Sequence, residues 1–276
     1  MPRAPDDKSP PGASRLERAV AYGLGTVLAL HVLHLAFVAW RLPVDYWDGY
    51  EYLTNARALA GHHVAQLGCG YLGFRPPLVP MLVALVLVGY APGGGGTALW
   101  GPHLLALVLS ALALVALYRL LREAFPASQA LLGCAVLAIN PLFIHYAPFV
   151  MTDIPTTLFL TAAAVAYLRA RRLGGWHRLV LAAAALGAAM AAKYNSALML
   201  GALGLFEALR VIFSARSPDA PMPGFVRRAT KLLADVRPWL VVAGSVLVLL
   251  LVQAVADRRT TPGGSVLAHV IDSVRF

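Results

Sequence analysis

The stretch Pro76-Pro77-Leu78-Val79-Pro80-Met81-Leu82-Val83-Ala84-Leu85-Val86-Leu87-Val88-Gly89-Tyr90, closed by Ala91-Pro92-Gly93-Gly94-Gly95-Gly96, decides how the chain is threaded. It is apolar throughout, but it opens on a proline pair, carries a third proline at Pro80 and ends in a glycine run. A helix that crosses the ~30 Å hydrocarbon core needs about 20 apolar residues, so a run this short reads as interfacial or re-entrant.

Around it lie seven longer apolar runs, at 19–40, 98–121, 128–147, 154–169, 177–192, 196–213 and 238–256. Hydrophobic residues make up 59% of the chain, charged residues only 13%, and the mean hydropathy is +0.69. Soluble domains carry roughly 25% charged residues. The class is therefore a polytopic helical membrane protein. The first run has no small-residue cleavage pattern after it and reads as a retained helix.

Charge tests the reading of 76–90. If that run does not span and the N-terminus is cytoplasmic, the inside first collects Arg3, Lys8, Arg15, Arg18, Arg119 and Arg122. It then collects Arg169, Arg171, Arg172, Arg178, Arg210, Arg216, Arg227, Arg228, Lys231 and Arg237. These are most of the 23 basic residues. If 76–90 does span, every later loop flips and the majority falls outside. The positive-inside rule selects the first threading. The expected fold is all-α and polytopic, with about seven transmembrane helices and short interfacial helices in a long first outer loop, 41–97. Residues 1–18 form a polar, Pro-rich, disordered cytoplasmic N-terminus, 19–256 the transmembrane domain, and 257–276 the start of a further outer loop that reads as truncated.

The net charge of +10 sits in short loops, where it orients the chain and meets anionic headgroups; it does not indicate nucleic acid. The cytoplasmic loop 214–237, with its basic stretch Arg227 to Lys231, reads the same way. Cys69 and Cys134 fall in different environments, which argues against a disulfide or a metal site. His31, His34, His103 and His145 have no ligand spacing and read as packing or hydrogen-bonded residues. Asn140-Pro141 reads as a helix break, and the Ala-rich segment 180–192 suits close helix packing in lipid. No internal repeat is apparent.

This threading gathers a few ionisable residues at one face. The outer loop opens with Val44-Asp45-Tyr46-Trp47-Asp48-Gly49-Tyr50-Glu51-Tyr52. If 48–60 is helical, Asp48, Tyr52 and Asn55 share one face, with Glu51 beside them. Asp48 is either a helix N-cap or a general base toward a hydroxyl acceptor. Asp153 precedes a spanning run with Pro155 in its first turn, so it too has a capping reading. Arg75 can snorkel to headgroups or grip a phosphate through paired hydrogen bonds. Lys193 can complement a helix C-terminus or face the same site. Two carboxylates and two cations around a membrane-dipping segment suit a lipid phosphate donor whose headgroup reacts at the surface. Asp45 and Asp48 can also hold a divalent cation through oxygen ligands, although two carboxylates alone do not establish one.

Asp48-Gly49-x-x-Tyr52-x-x-x-Ala56-Arg57 resembles a stretch in the first outer loop of the GT-C membrane glycosyltransferases. The branch concerned includes protein O-mannosyltransferases and lipid A aminoarabinose transferases. Arg75-Pro76-Pro77-Leu78 resembles that branch's K/R-P-P-L. Asn140-Pro141-Leu142-Phe143 followed by Asp153-Ile154-Pro155 resembles its helix–short loop–Asp pattern, and Ala192-Lys193-Tyr194 its Lys-containing turn. The motifs occur in order across about residues 20–200. The resemblance implies a polyprenyl-phosphate-linked sugar donor, inversion at the anomeric carbon, and a lipid, glycan or protein acceptor. It implies Asp48 as catalytic base, Asp153 as a second acid in the site and Arg75 as a donor-phosphate ligand. It also implies a bacterial plasma membrane location with the site on the extracytoplasmic face. Gly49 stands where the branch commonly has Glu; Asp45 or Glu51 can compensate, or the acceptor differs. Relatives of this branch are generally longer and have more spanning helices.

Two rivals stay open at this level. A transporter or flippase would place charge near the bilayer midplane and carry paired repeats. A non-catalytic fragment would bind polyprenyl lipid and transfer nothing.

Overall fold

The computed structural model describes residues 15–41, 47–60, 76–87, 100–214, 230 and 235–260. Among these the chain is helical and no strand occurs. Helix α1 spans Arg15–Arg41, α2 Trp47–Leu59, α3 Leu78–Leu87, α4 Trp100–Leu121, α5 Ala127–Ala138 and α6 Pro141–Tyr146. Helix α7 spans Asp153–Leu173 and α8 Trp176–Ala192; a 3₁₀ turn, Tyr194–Ala197, leads into α9, Leu198–Ser214, and α10 covers Val236–Thr260. Of the disordered reading of 1–18, residues 15–18 are helical in α1, and of the outer-loop reading of 257–276, residues 257–260 continue α10; the rest of both, with the basic stretch Arg227 to Lys231 and Cys69, lies outside the described residues.

Three segments are long and apolar enough on their own to cross a membrane: Arg18–Val38, Gly101–Leu121 and Val236–Ala256. The other expected spans are shorter or more polar, for visible reasons. Helix α7 is 21 residues long but ends in Arg169, Arg171 and Arg172. Helices α8 and α9 have 17 residues each, roughly 25 Å of rise, the lower end of what spans. The 128–147 run is divided at Asn140, whose side chain accepts hydrogen bonds from Leu142 N (2.9 Å) and Phe143 N (3.2 Å), capping α6 with Pro141 at its first position.

Helix α3 is short and apolar. Its 10 residues rise only about 15 Å, and the neighbours of α1 and α4 fix the return of the chain to the end it left. Gly23, early in α1, lies against Leu131 of α5, whereas His31 stacks on Phe143 of α6 with ring centroids 5.3 Å apart. At the start of α4, His103 Nδ1 is 2.7 Å from the carbonyl of Pro148. Phe143 and Pro148 flank one short connection, so α1 ends and α4 begins at the same end of the bundle. Gly133 and Leu121 meet at the opposite end.

Packing follows from composition. Ala163, Ala166 and Tyr167 of α7, Ala182, Leu186 and Met190 of α8, Leu203 of α9 and Val241 of α10 form one buried cluster. Small residues let α8 and α10 approach closely. A methyl group at Gly187 would stand 2.6 Å from the backbone oxygen of Ser245 and 2.6 Å from Val248 Cβ. Gly187→Ala is therefore expected to cost about 1–3 kcal/mol by overpacking, visible as earlier thermal unfolding in detergent micelles.

Candidate functional site

Asp153 is the first residue of α7; the cap position is Thr152, which makes no side-chain cap bond. The Asp153 carboxylate is thus free of capping duty. It turns instead to Lys193, whose Nζ lies 2.7 Å from Asp153 Oδ1. Lys193 closes α8: its N–H bonds Ala189 O, and its backbone is extended at φ −154°, ψ 114°. That break swings the chain into the 3₁₀ turn, where Ser196 N donates to Lys193 O at 2.9 Å. Both side chains of the pair are about two-fifths exposed. An ammonium carries three N–H donors, and Asp153 accepts one of them.

The pair stands beside the layer formed by α2 and α3. Tyr52, Leu53 and Ala56 of α2 pack with Val79, Val83, Ala84 and Leu87 of α3, with Val150 and with Ala192, the residue before Lys193. The α2–α3 layer is thereby folded back against the Asp153–Lys193 end. Tyr52 and Asn55 share the buried face of α2, as their spacing predicts. Asn55 is 2% exposed, and its Nδ2 has no hydrogen-bond partner. Thr156 Oγ1, one turn into α7, and Ser196 Oγ are also buried and unpartnered. Glu51 is half-buried on α2.

The remaining expected site residues are only partly placed. Position 48 belongs to α2, but the Asp48 side chain lies outside the described residues. Asp45 and Arg75 lie outside them entirely, and with them the cation reading of Asp45 and Asp48. Asp153 and Lys193 are brought into direct contact across 40 residues of sequence.

The opposite end of the bundle is a different chemical place. There Glu123 pairs with Arg169 (2.7 Å) and Arg172 (3.0 Å). Glu207, 1% exposed, accepts from Tyr167 Oη (2.7 Å), Arg210 Nε (2.8 Å) and lies 3.3 Å from Arg171. Asp235 joins Arg171, Arg210 and Arg237. Burial pushes the Asp235 carboxyl up, but hydrogen bonds from Arg171 and from the backbone and side chain of Arg237 outweigh it and hold it below its ordinary value. This acid-and-arginine cluster was not foreseen from the sequence. A signal existed: Glu207 is a lone acid within an apolar run, and such an acid seeks a partner.

Residues 75–218 match the family model of dolichyl-phosphate-mannose-protein mannosyltransferases. A sequence comparison with curated proteins finds no match. Among solved structures, a chain of the S. cerevisiae protein O-mannosyltransferase Pmt1–Pmt2 complex, determined bound to the sugar donor, superposes with a TM-score of 0.68 at 17% identity. The match covers 88% of this chain and 34% of that one, so the present chain spans about a third of its relative's length. The shared fold is an all-α membrane fold.

Proposed function

The chain belongs to the dolichyl-phosphate-mannose-protein mannosyltransferase family, and from that premise we propose that it transfers a sugar from a polyprenyl-phosphate-linked donor to a hydroxyl-bearing lipid, glycan or protein acceptor, with inversion. The observation that carries this reading is the Asp153–Lys193 pair, held beside the α2–α3 layer at the end of the bundle away from the arginine cluster. In a single displacement, the acceptor oxygen bonds to the anomeric carbon as the bond from that carbon to the phosphate oxygen breaks. The acceptor proton passes to a carboxylate, for which the family motif offers Asp48. The departing phosphate stays on its lipid, and its growing charge is met by Lys193 and Arg75. Asp153 holds the ammonium in place.

Lys193→Met tests the assignment of the cation. An ion pair this exposed contributes about 0–1 kcal/mol to stability, so the melting behaviour in micelles is expected to stay nearly unchanged. Transfer from a radiolabelled polyprenyl-phosphate sugar is expected to fall, by about tenfold or more, the worth of a hydrogen bond to a charged group. Unchanged transfer in Lys193→Met would remove the pair from the site and favour a purely structural role.

We further propose that the pair faces the extracytoplasmic side of a bacterial plasma membrane, because the opposite end holds the basic loops. Leu173→Cys and Asn195→Cys lie at the two ends of the bundle. A membrane-impermeant maleimide added to right-side-out vesicles is expected to label position 195 and spare 173. The reverse pattern would invert the orientation.

A further inference from the structure

Away from the Asp153–Lys193 end, helices α7, α8, α9 and α10 enclose a cleft of about 660 Å³, mouth included, that the transfer reading does not use. Its lining is almost wholly apolar and includes Ala163, Tyr167, Leu186, Leu203, Phe206 and Val241. Phe206, 40% exposed, forms a lip, and its ring meets that of Tyr167 edge-on at 6.4 Å between centroids. One helical turn beyond each ring, toward the arginine-rich end, stands an arginine on the same face: Arg171 follows Tyr167, and Arg210 follows Phe206. Two guanidinium groups therefore stand one turn past the aromatic residues of the cleft.

Among the described residues these groups are not fully neutralised. Arg171, Arg210 and Arg237 share two carboxylates, Glu207 and Asp235, through the ion pairs described above. Three positive charges against two negative leave a surplus of one. Arg171 is nearly buried, so the surplus is presented by Arg210 and Arg237, 37% and 44% exposed. Each guanidinium has five donors in a planar fork that suits phosphate oxygens, and its carboxylate partners do not use them all.

We propose that this cleft is a binding site for an anionic glycerophospholipid of the leaflet at the arginine end, one acyl chain lying along Tyr167 and Leu203 and the phosphate held at Arg210. The charge complementarity selects this occupant over a zwitterionic lipid, whose headgroup carries its own cation to the same guanidinium groups. The site is independent of the transfer reading and stands or falls without it.

Native mass spectrometry of the full chain in detergent, with phosphatidylglycerol and phosphatidylcholine of identical acyl chains in competition, measures it directly. A basic residue at a membrane surface is worth about 1 kcal/mol toward an anionic lipid, or about fivefold in affinity. Phosphatidylglycerol is expected to be retained about fivefold or more over phosphatidylcholine. Arg210→Gln is expected to erase that preference and Arg210→Lys to keep most of it. Ala202→Trp, at an exposed position of the cleft wall, is expected to prevent retention of both lipids while leaving the helix content intact. Arg172, 60% exposed and paired with Glu123 outside the cleft, serves as control, and Arg172→Gln should leave the preference in place. Equal retention of the two lipids by the unaltered chain overturns the proposal. So does an equal loss in Arg172→Gln, which would reduce the effect to general surface charge, and so does full retention of phosphatidylglycerol in both Arg210→Gln and Ala202→Trp.

Discussion

Asp48→Asn is expected to slow glycosyl transfer by about 10²–10⁴-fold, the usual cost of losing a general base, while the donor still binds. The amide keeps the shape of the side chain and cannot accept the proton of the incoming hydroxyl. The informative comparison is Asp45→Asn in the same membrane preparation. Both acids follow α1 closely, and composition alone cannot choose between them. Position 48 lies one turn before Tyr52 on α2, whose Tyr52 and Asn55 face is buried; position 45 precedes the helix. A pair of rates in which Asp45→Asn collapses and Asp48→Asn does not would shift the motif register by three residues. Two near-normal rates would leave the acids of this loop without a part in the reaction.

The largest effect on stability is expected at the other end. Arg171→Met removes the guanidinium that bridges Glu207 and Asp235. Glu207 is 1% exposed and would be left with one cationic partner fewer. Breaking a buried pair from one side typically costs about 3–5 kcal/mol, and chemical denaturation in micelles should show a loss of that size. Replacing both partners, in Arg171→Met with Glu207→Leu, should restore much of it, because the uncompensated charge is then gone. Acid should weaken the same cluster. The folded-state pKa of Asp235 is depressed below 3.8, so its contribution is complete above the unfolded value and is lost as pH falls through the folded one. A stability that rises on acidification below pH 4 would contradict this assignment.

Much of the architecture was legible from the chain because apolar length and charge sorting are local properties. The short, proline-bounded run at 76–90 announced a short helix, and α3 has 10 residues. Asn140-Pro141 announced a break, and the asparagine caps α6 there. The sorting of arginines announced two unlike ends. The contacts across those ends were not legible. Asp153 and Lys193 could be assigned to one face, but their pairing at 2.7 Å depends on how α7 and α8 pack. Glu207 illustrates the same limit. Its sequence neighbours say that an acid sits in an apolar helix; only the packed helices show Tyr167 and Arg171 closing around it. The capping reading of Asp153 failed by one residue, since the helix begins at the aspartate itself.

The return of the chain between α1 and α4 to the end it left also constrains the order in which the molecule can be built. On the proposed threading, whatever machinery inserts α1 delivers the whole connecting segment to one side of the bilayer before α4 turns back. Helix α3 is too short to halt that passage. The surfaces it rests on, around Val150 and Ala192, belong to segments made much later. The α2–α3 layer beside the Asp153–Lys193 pair is therefore among the first parts synthesised and among the last to find its seat. During the interval its apolar face needs shelter from water, and the headgroup zone of the membrane is the nearest place to wait.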